Sequence, residues 1–483
     1  MHIFLFCHNT KFTTANKFKE ICFICIFRKT YALLNKIIIF VNNFLDISAI
    51  KNRPWRLFFL VKQEWIGMMT ERTNTLIVGG GQAGLAMSEH LNNNKVDHII
   101  LERHRIVERW RTSRWDSLVA NGPSWHDRFP TMEFSDVEPN AFAHKDSVVT
   151  YFENFAKTIK APVRSNVDVE EVVKLPKGDG FKITTSDGMF EANNVVAATG
   201  PFQEPIIPTL IPEDRAIRQI HSQSYRNPEQ LSNGAVLVVG AGSSGSQIAE
   251  ELLRSGKEVY LSIGPHDRPP RRYRGRDNVW WLGVLGKWEA KTPSSANTEH
   301  VTIAVSGYDG GKTIDFKKFA QRGMKLLGLT TKFKNGHLYF ANDLKHNITN
   351  GDKNYLSLLD EADDYVKKNN INLPEEPEAR ILDPDPECVT NPTFKLDLNE
   401  SNIRTIIWAT GYKQNFKWLK VNAFDDNGKP LHKRGVSVEK GIYFLGLPWL
   451  SMRGSSFIWG VWKDAKYLAE HIAKKKIDGV QVK

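Results

Sequence analysis

A chain of 483 residues is too long for one ordinary domain and predicts two or three. Its composition, 41% hydrophobic and 25% charged, is typical of a globular protein with a large core and excludes a disordered or low-complexity chain. Of the net charge of +11, residues 1–68 carry +7, from ten Lys or Arg against three Asp or Glu, which leaves +4 for the other 415 residues. This balance predicts no nucleic-acid partner.

Residues 1–68 differ from the rest of the chain. They contain three of the four cysteines, so the remainder keeps only Cys388 and cannot form an internal disulfide, which predicts a cytoplasmic protein. The segment has neither the pattern of a folded domain nor a clean signal peptide. We expect the folded protein to begin at Met68 or Met69, with residues 1–68 outside it. The alternative is a basic, apolar anchor that makes peripheral membrane contact.

The first nucleotide-binding motif follows the apolar run Thr75–Val78, which predicts a buried parallel strand. The glycine-rich turn Gly79–Gly84 comes next, then a helical pattern, and then the apolar strand His98–Leu101, which ends at Glu102. The glycines allow a tight turn, a close approach of backbone N–H groups to a pyrophosphate, and close helix packing, while the acid can bind a ribose diol. The candidate cofactor-binding residues here are Gly79, Gly81, Gln82, Ala83, Gly84 and Glu102.

The same pattern returns after the apolar run Ala235–Val239, with the turn Gly240–Gly245, a helix and a strand near Glu258–Ser262. No acid stands at the ribose position; five arginines crowd the next loop, and guanidinium groups bind a 2′-phosphate with paired hydrogen bonds. This favours NADPH over NADH. The alternative is that the arginines face solvent or pair with Asp267 and Asp277. The candidate cofactor-binding residues are Gly240, Gly242, Ser243, Ser244, Gly245, Arg268, Arg271 and Arg272.

Two further strands, in Asn194–Gly200 and Ile403–Gly411, each end in Ala-Thr-Gly. Small residues at a strand end let the chain turn past a bound nucleotide, which makes Gly200, Thr410 and Gly411 candidate cofactor contacts. Two dinucleotide sites in one chain imply electron transfer between two nucleotides. The predicted order is the 1–68 leader, a first dinucleotide-binding domain over 69–232, an NADPH domain with an insertion over 233–401, and the rest of the first domain over 402–483.

From about residue 69 to 475 the chain resembles the class B flavin monooxygenases, which include flavin-containing monooxygenases and Baeyer–Villiger enzymes. The resemblance implies an α/β fold with two Rossmann-like dinucleotide-binding domains, an NADPH domain being inserted in an FAD domain. The matching motifs are the first fingerprint Gly79–Gly84, Trp110-Arg111, the run Ser117–Asn121, His221-Ser222 with Tyr225, the second fingerprint Gly240–Gly245, and the turn Ala409–Tyr412.

The resemblance also implies a mechanism, in which NADPH reduces FAD and the reduced flavin uses O2 to oxygenate a small organic substrate. It places Asn121 near the reactive edge of the flavin as the candidate catalytic residue, the alternative being an ordinary turn residue. Trp110 and Arg111 become cofactor-binding candidates. His221 becomes a candidate contact to NADP, or equally a structural loop histidine.

Other functions stay open at this point. An NADPH oxidase, a flavin halogenase and a nucleotide-sensing regulatory flavoprotein fit the same motifs, whereas a disulfide reductase is disfavoured because Cys388 has no partner. The histidines lack metal-ligand spacing, so no metal is expected. Within the insertion, Trp280, Trp281 and Trp288 either line the substrate site or belong to the core.

Overall fold

The computed structural model describes residues 70–176, 178–213, 216–292 and 303–480. The predictions made for residues 1–68 therefore lie outside the described residues. Every element described below lies within Thr70–Lys483.

The described residues form 22 strands and nine α-helices. The strands are β1 (Thr70–Val78), β2 (His98–Glu102), β3 (Val163–Ser165), β4 (Val169–Lys174), β5 (Phe181–Thr185), β6 (Gly188–Ala197), β7 (Glu204–Pro205), β8 (Arg218–His221), β9 (Ala235–Val239), β10 (Val259–Ser262), β11 (Arg272–Tyr273), β12 (Arg276–Asp277), β13 (Lys325–Leu327), β14 (Thr330–Lys334), β15 (His337–Phe340), β16 (Lys395–Asp397), β17 (Ile403–Trp408), β18 (Tyr412–Lys413), β19 (Leu419–Lys420), β20 (His432–Lys433), β21 (Val436–Ser437) and β22 (Ile442–Phe444). The helices are α1 (Gln82–Asn93), α2 (Glu108–Thr112), α3 (Lys145–Thr158), α4 (Ser243–Arg254), α5 (Asn278–Val284), α6 (Phe316–Gln321), α7 (Leu344–Lys368), α8 (Glu387–Thr390) and α9 (Ile458–Val480).

The first sheet is built around β1, which pairs in parallel with β2 and β6. Beyond β2 lies β3, also parallel; on the other side, β6 pairs with antiparallel β5 along its first half and with parallel β22 along its second half. Strand β1 is longer than the apolar run predicts, because its polar residues 70–73 pair with the first half of β6. The late strand β22 returns the chain to this sheet, so the sheet draws on both ends of the described chain.

The second sheet has the order β13-β10-β9-β17-β8, and all its strands are parallel. Its central strand β9 is buried throughout, with Val236 and Val238 in one hydrophobic cluster and Leu237 and Val239 in another. Apolar residues fill both faces because helices or loops cover both sides of such a sheet. These two sheets confirm the predicted α/β class with two Rossmann-like units.

The segment between the second sheet's strands β10 and β17 carries most of the remaining elements. It contains the 25-residue helix α7 and the three-stranded sheet β14-β15-β16. Trp281 is fully buried here against α7 residues such as Leu359, which favours the core interpretation for this tryptophan. None of the helices in the described ranges combines the length and the hydropathy of a membrane span.

Candidate functional site

The first glycine-rich turn joins β1 to α1. Gly79 has a φ of +111°, and a Cβ there would lie 2.6 Å from the carbonyl oxygen of Ala198. A Cβ on Gly84 would lie 2.0 Å from the carbonyl oxygen of Gly79. Both positions therefore require glycine, one for its dihedral angle and one for the close approach of helix and strand.

The N-terminus of α1 is open. Gly81 is its N-cap residue in an extended conformation, no side chain caps the helix, and a Cβ on Gly81 would meet no atom within 4 Å. The first backbone N–H groups of a helix lack partners within the helix, and the helix dipole makes this end favourable for an anion. The turn thus offers a place for a pyrophosphate.

Glu102 ends β2 beside this turn. Its carboxylate accepts the backbone N–H of Gly80 at 2.7 Å and that of His104 at 2.9 Å. Each carboxylate oxygen has further lone pairs, so the side chain can also accept hydrogen bonds from a ribose diol. The structure holds the acid where the sequence pattern predicts it, next to the glycines.

The C-terminal part of the chain contacts the same turn. Gln82 donates its amide to the carbonyl oxygen of Ser456 at 3.1 Å, just before α9 begins. A Cβ on Gly446 would lie 3.0 Å from the Cβ of Ala83. Sequence reasoning missed Gly446 and Ser456 as neighbours of the first fingerprint, because only the fold brings residues more than 350 positions apart together.

Trp110 and Arg111 lie on the short helix α2. Trp110 packs against the hydrophobic clusters of both sheets, so it lies where these two clusters meet. Arg111 pairs with Glu153 at 2.5 Å, and its buried Nε atom has no hydrogen-bond partner among the described residues. A buried donor without a partner is rare, and a bound ligand is one way to satisfy it.

The second glycine-rich turn repeats the first between β9 and α4. A Cβ on Gly240 would lie 2.5 Å from the carbonyl oxygen of Ala409, and one on Gly245 would lie 1.8 Å from that of Gly240. Gly242 is the extended N-cap residue of α4, again with no side-chain cap. Ser243 and exposed Ser244 begin the helix, so this N-terminus has the same anion-binding character.

The two Ala-Thr-Gly turns lie at strand ends, as the sequence predicts. Gly200 has a φ of +72°. Thr410 donates its hydroxyl to the carbonyl oxygen of Ile206 at 2.5 Å, and Gly411 accepts the backbone N–H of Ile206 at 3.0 Å. These contacts tie the end of β17 to the chain that follows Gly200.

His221 is buried, and both ring nitrogens have partners within the chain. Nδ1 accepts the backbone N–H of Gln223 at 3.1 Å, and Nε2 donates to the carbonyl oxygen of Gly411 at 3.0 Å. Burial lowers the pKa of His221 below its usual value, in keeping with this neutral tautomer. The geometry favours the structural loop role over a direct contact to NADP.

Two of the three candidate arginines are engaged in buried ion pairs. Arg268 pairs with Asp352 at 2.7 Å, and Arg271 forms a bidentate pair with Asp277, one contact being 3.1 Å from Nε to Oδ2. The expectation that both bind a 2′-phosphate is not supported, because their charges are already neutralised and their side chains are 4% and 3% exposed. Arg272 differs: it lies at the surface, and within the described ranges it donates only to carbonyl oxygens, those of residues 310 and 311.

Asn121 is held by donors from the second sheet's part of the chain. Its Oδ1 accepts from Nε2 of Gln247 at 2.9 Å, and its carbonyl oxygen accepts from Nη1 of Arg271 at 2.7 Å. The side-chain Nδ2 makes no hydrogen bond to any residue in the part of the chain that the structure describes. The turn residue is thus fixed in place while keeping a free donor.

His126, five residues after Asn121, is surrounded by aromatic side chains. His126 Nδ1 is 2.7 Å from Asp127, whose other oxygen accepts the backbone N–H of Gly122 at 2.8 Å. The imidazole centroid lies 5.4 to 5.7 Å from those of Trp125, Trp288 and Trp459. The sequence analysis singled out Trp288 but not His126 or Asp127.

Comparisons with known proteins match these features. The family model described as pyridine nucleotide-disulphide oxidoreductase matches residues 76–275. A Geobacillus kaustophilus protein named uncharacterized oxidoreductase CzcO-like is 34% identical over 84% of this chain and 99% of its own length. The probable indole-3-pyruvate monooxygenase YUCCA4 of Arabidopsis thaliana is 26% identical over 82% of this chain and 89% of its own. A flavin-containing monooxygenase structure from Stenotrophomonas maltophilia superposes with a TM-score of 0.58 at 16% identity, covering 84% and 99% of the two chains.

The chain belongs to the class B flavin-dependent monooxygenase family. It is therefore an FAD-dependent oxidoreductase, and its dependence on FAD and NADPH, predicted from the two fingerprints, is confirmed. The residues present fit both cofactors of a class B enzyme: each glycine turn leaves an uncapped helix N-terminus for a pyrophosphate, and Arg111 supplies an unpaired buried donor.

Proposed function

We propose that this class B enzyme is an NADPH-dependent monooxygenase that oxygenates a small organic substrate with O2. One observation carries the proposal: Asn121 is fixed by Gln247 and Arg271, and its Nδ2 donor has no hydrogen-bond acceptor among the described residues. Asn121 is followed within six residues by His126 and Asp127, which form a hydrogen-bonded pair surrounded by tryptophans.

FAD, when bound, would accept a hydride from NADPH and pass electrons to O2. The chain's own contribution is binding and orientation. The N-terminus of α1 with Glu102 would hold one dinucleotide, and the N-terminus of α4 would hold the other. Of the arginines, Arg272 would contact the 2′-phosphate, because Arg268 and Arg271 are occupied.

Asn121 would offer its Nδ2 hydrogen bond to the reacting oxygen. A fixed donor in a water-poor site stabilises developing charge more strongly than water does, since it need not reorganise. The indole rings around His126 would help to exclude water from this place.

The test compares the wild type with Asn121→Ala and with Asn427→Ala, a matched control in an exposed turn. NADPH consumed, H2O2 formed and oxygenated product are measured in air, with indole-3-pyruvate, the substrate named for the Arabidopsis relative, as the first probe. We expect product from the wild type and the control. In Asn121→Ala the product per NADPH should fall about tenfold while H2O2 rises, because one hydrogen bond to a charged group is lost.

Other outcomes decide between the alternatives. Stoichiometric H2O2 from the wild type with every substrate tried would identify an oxidase. Chlorinated or brominated product in the presence of halide would identify a halogenase. Binding of both nucleotides with negligible NADPH consumption would identify a sensor.

A further inference from the structure

Gln247 makes a contact that links the two nucleotide sites. It lies on α4, one turn after Ser243, and its Nε2 donates to the carbonyl oxygen of Val305 at 2.5 Å as well as to Oδ1 of Asn121. A backbone carbonyl can only accept, so the amide nitrogen of Gln247 must face Val305. Its second N–H then requires an acceptor, which fixes Oδ1 of Asn121 toward α4 and turns Nδ2 away from it.

The same face of α4 holds a second contact at the fingerprint itself. Ser243 donates its hydroxyl to the carbonyl oxygen of Ile303 at 2.6 Å, and the backbone N–H of Ala304 donates to the carbonyl oxygen of Asp267 at 2.9 Å. Residues 303–305 therefore lie along the N-terminal turns of α4. Because Ser243 has a single hydroxyl hydrogen, it can donate to Ile303 or to a phosphate oxygen, but not to both at once.

Nucleotide binding at the N-terminus of α4 would thus affect the side chain of Asn121, to which Gln247 donates. If a phosphate oxygen accepts the hydrogen bond of the Ser243 hydroxyl, the carbonyl oxygen of Ile303 loses that hydrogen bond. Val305, only two residues further along the chain, can then move with Ile303. Any displacement of Val305 changes the hydrogen bonding of Gln247 and, through it, the orientation of Asn121.

We propose that Gln247 is a positioning residue: it directs the Nδ2 donor of Asn121 and couples that direction to occupancy of the second nucleotide site. The inference rests on the proposed function in one respect, the placement of Asn121 beside the flavin. It adds a coupling between NADP binding at the second site and the orientation of the Asn121 side chain.

The experiment uses FAD-loaded protein titrated with NADP⁺ without turnover. The readouts are the change that NADP⁺ causes in the flavin absorption spectrum at saturation and the Kd for NADP⁺. The variants are Gln247→Leu, Gln247→Glu, Asn121→Ala and the double variant Gln247→Leu with Asn121→Ala. Gln321→Leu, an exposed glutamine at the end of α6, is the matched control.

We expect the NADP⁺-induced spectral change to fall at least about threefold in Gln247→Leu and in Asn121→Ala, and no further in the double variant, because coupled residues are non-additive. Gln247→Glu should lose the change as well, since a carboxylate of the same length accepts and cannot donate. The control should keep the full change.

A purely structural glutamine would give a different pattern. Its loss would lower stability and NADP⁺ affinity but leave the spectral change at saturation intact, and that result, or additive losses in the double variant, would overturn the proposal. A wild type without any NADP⁺-induced change would overturn it too. Since no turnover is measured, failure to find an oxygenated product rejects the proposed function while leaving this test separate.

Discussion

Arg268 and Asp352 form a buried ion pair, with Nη2 of the arginine 2.7 Å from Oδ1 of the aspartate. Asp315 lies 3.6 Å from the same guanidinium, and Lys317 pairs with the other oxygen of Asp352 at 3.0 Å. The aromatic ring of Tyr355 lies 4.6 Å from the guanidinium carbon. The group therefore joins the loop after β10 to helices α6 and α7 and has no free charge for a phosphate.

This pair leads to the first prediction. Arg268→Met should lower the free energy of unfolding by about 2 kcal/mol, because the buried carboxylate of Asp352 loses its charge-assisted hydrogen bond to Arg268 and keeps Lys317 as its ion-pair partner. The affinity for NADP⁺ relative to NAD⁺ should change by less than about threefold, because a residue that does not contact the 2′-phosphate has little effect on this preference. Urea unfolding and titration with both nucleotides measure the two quantities. A stable variant that loses its preference for NADP⁺ would return Arg268 to the phosphate site.

The arginines show where sequence reasoning ends. Five arginines in nine residues predict a phosphate site, but the partners of Arg268, Asp315 and Asp352, are 47 and 84 positions away, and nothing local reveals them. The contact of Gln247 with Asn121 spans 126 positions and was missed for the same reason.

The glycine turns were predictable because their requirements are local. The steric conflict that forbids a side chain on Gly84 involves Gly79, five residues away, and the apolar runs of β1 and β9 flank the two turns directly. Fold class follows from such repeated strand, turn and helix patterns. The exact pairing of β6 with both β5 and β22 does not, since it depends on chain segments that are far apart.

A second prediction concerns the remaining arginine. Arg272→Gln should reduce the preference for NADP⁺ over NAD⁺ about tenfold, the loss of one charge-assisted hydrogen bond to the 2′-phosphate. Arg276→Gln, in the same β11–β12 hairpin with its guanidinium 5.3 Å from the ring of Trp280, is the control and should keep the preference. Equal effects of the two substitutions would indicate general electrostatic attraction and not a specific contact.

A third prediction separates the two roles of glycine in the first turn. Gly81→Ala places a methyl group in open space at an ordinary φ of −86°, so the free energy of unfolding of the apoprotein should change by less than about 0.5 kcal/mol. Its FAD affinity should fall about tenfold, because the methyl group keeps the backbone from the pyrophosphate. Gly84→Ala should instead destabilise the fold by about 3 kcal/mol, since its Cβ meets the carbonyl oxygen of Gly79.

FAD content after purification and urea unfolding of the apoprotein distinguish these effects. If Gly81→Ala binds FAD like the wild type, the N-terminus of α1 is not the pyrophosphate site. If Gly84→Ala is as stable as the wild type, helix α1 has shifted to relieve the contact, and a change in FAD affinity should accompany it.

The last prediction concerns acid stability. Burial lowers the pKa of His90 from 6.5 to about 4, and its ring packs edge-on against Trp462 with centroids 4.4 Å apart. Above pH 6.5 the folded and unfolded states both carry neutral His90, so its full contribution is present. Between pH 6.5 and 4 the unfolded state binds a proton that the folded state does not, and stability falls.

Between pH 7.5 and 4.5, the free energy of unfolding of His90→Leu should therefore fall by about 2 kcal/mol less than that of the wild type. This difference is the pKa shift of His90 expressed as free energy. Other buried histidines, such as His98 and His266, also have lowered pKa values, so some acid sensitivity should remain in the variant. The free energy of unfolding in urea at both pH values measures the difference. An unchanged pH dependence would contradict this prediction. It would mean that His90 is protonated in the folded protein as readily as in the unfolded chain, after a rearrangement at its contact with Trp462.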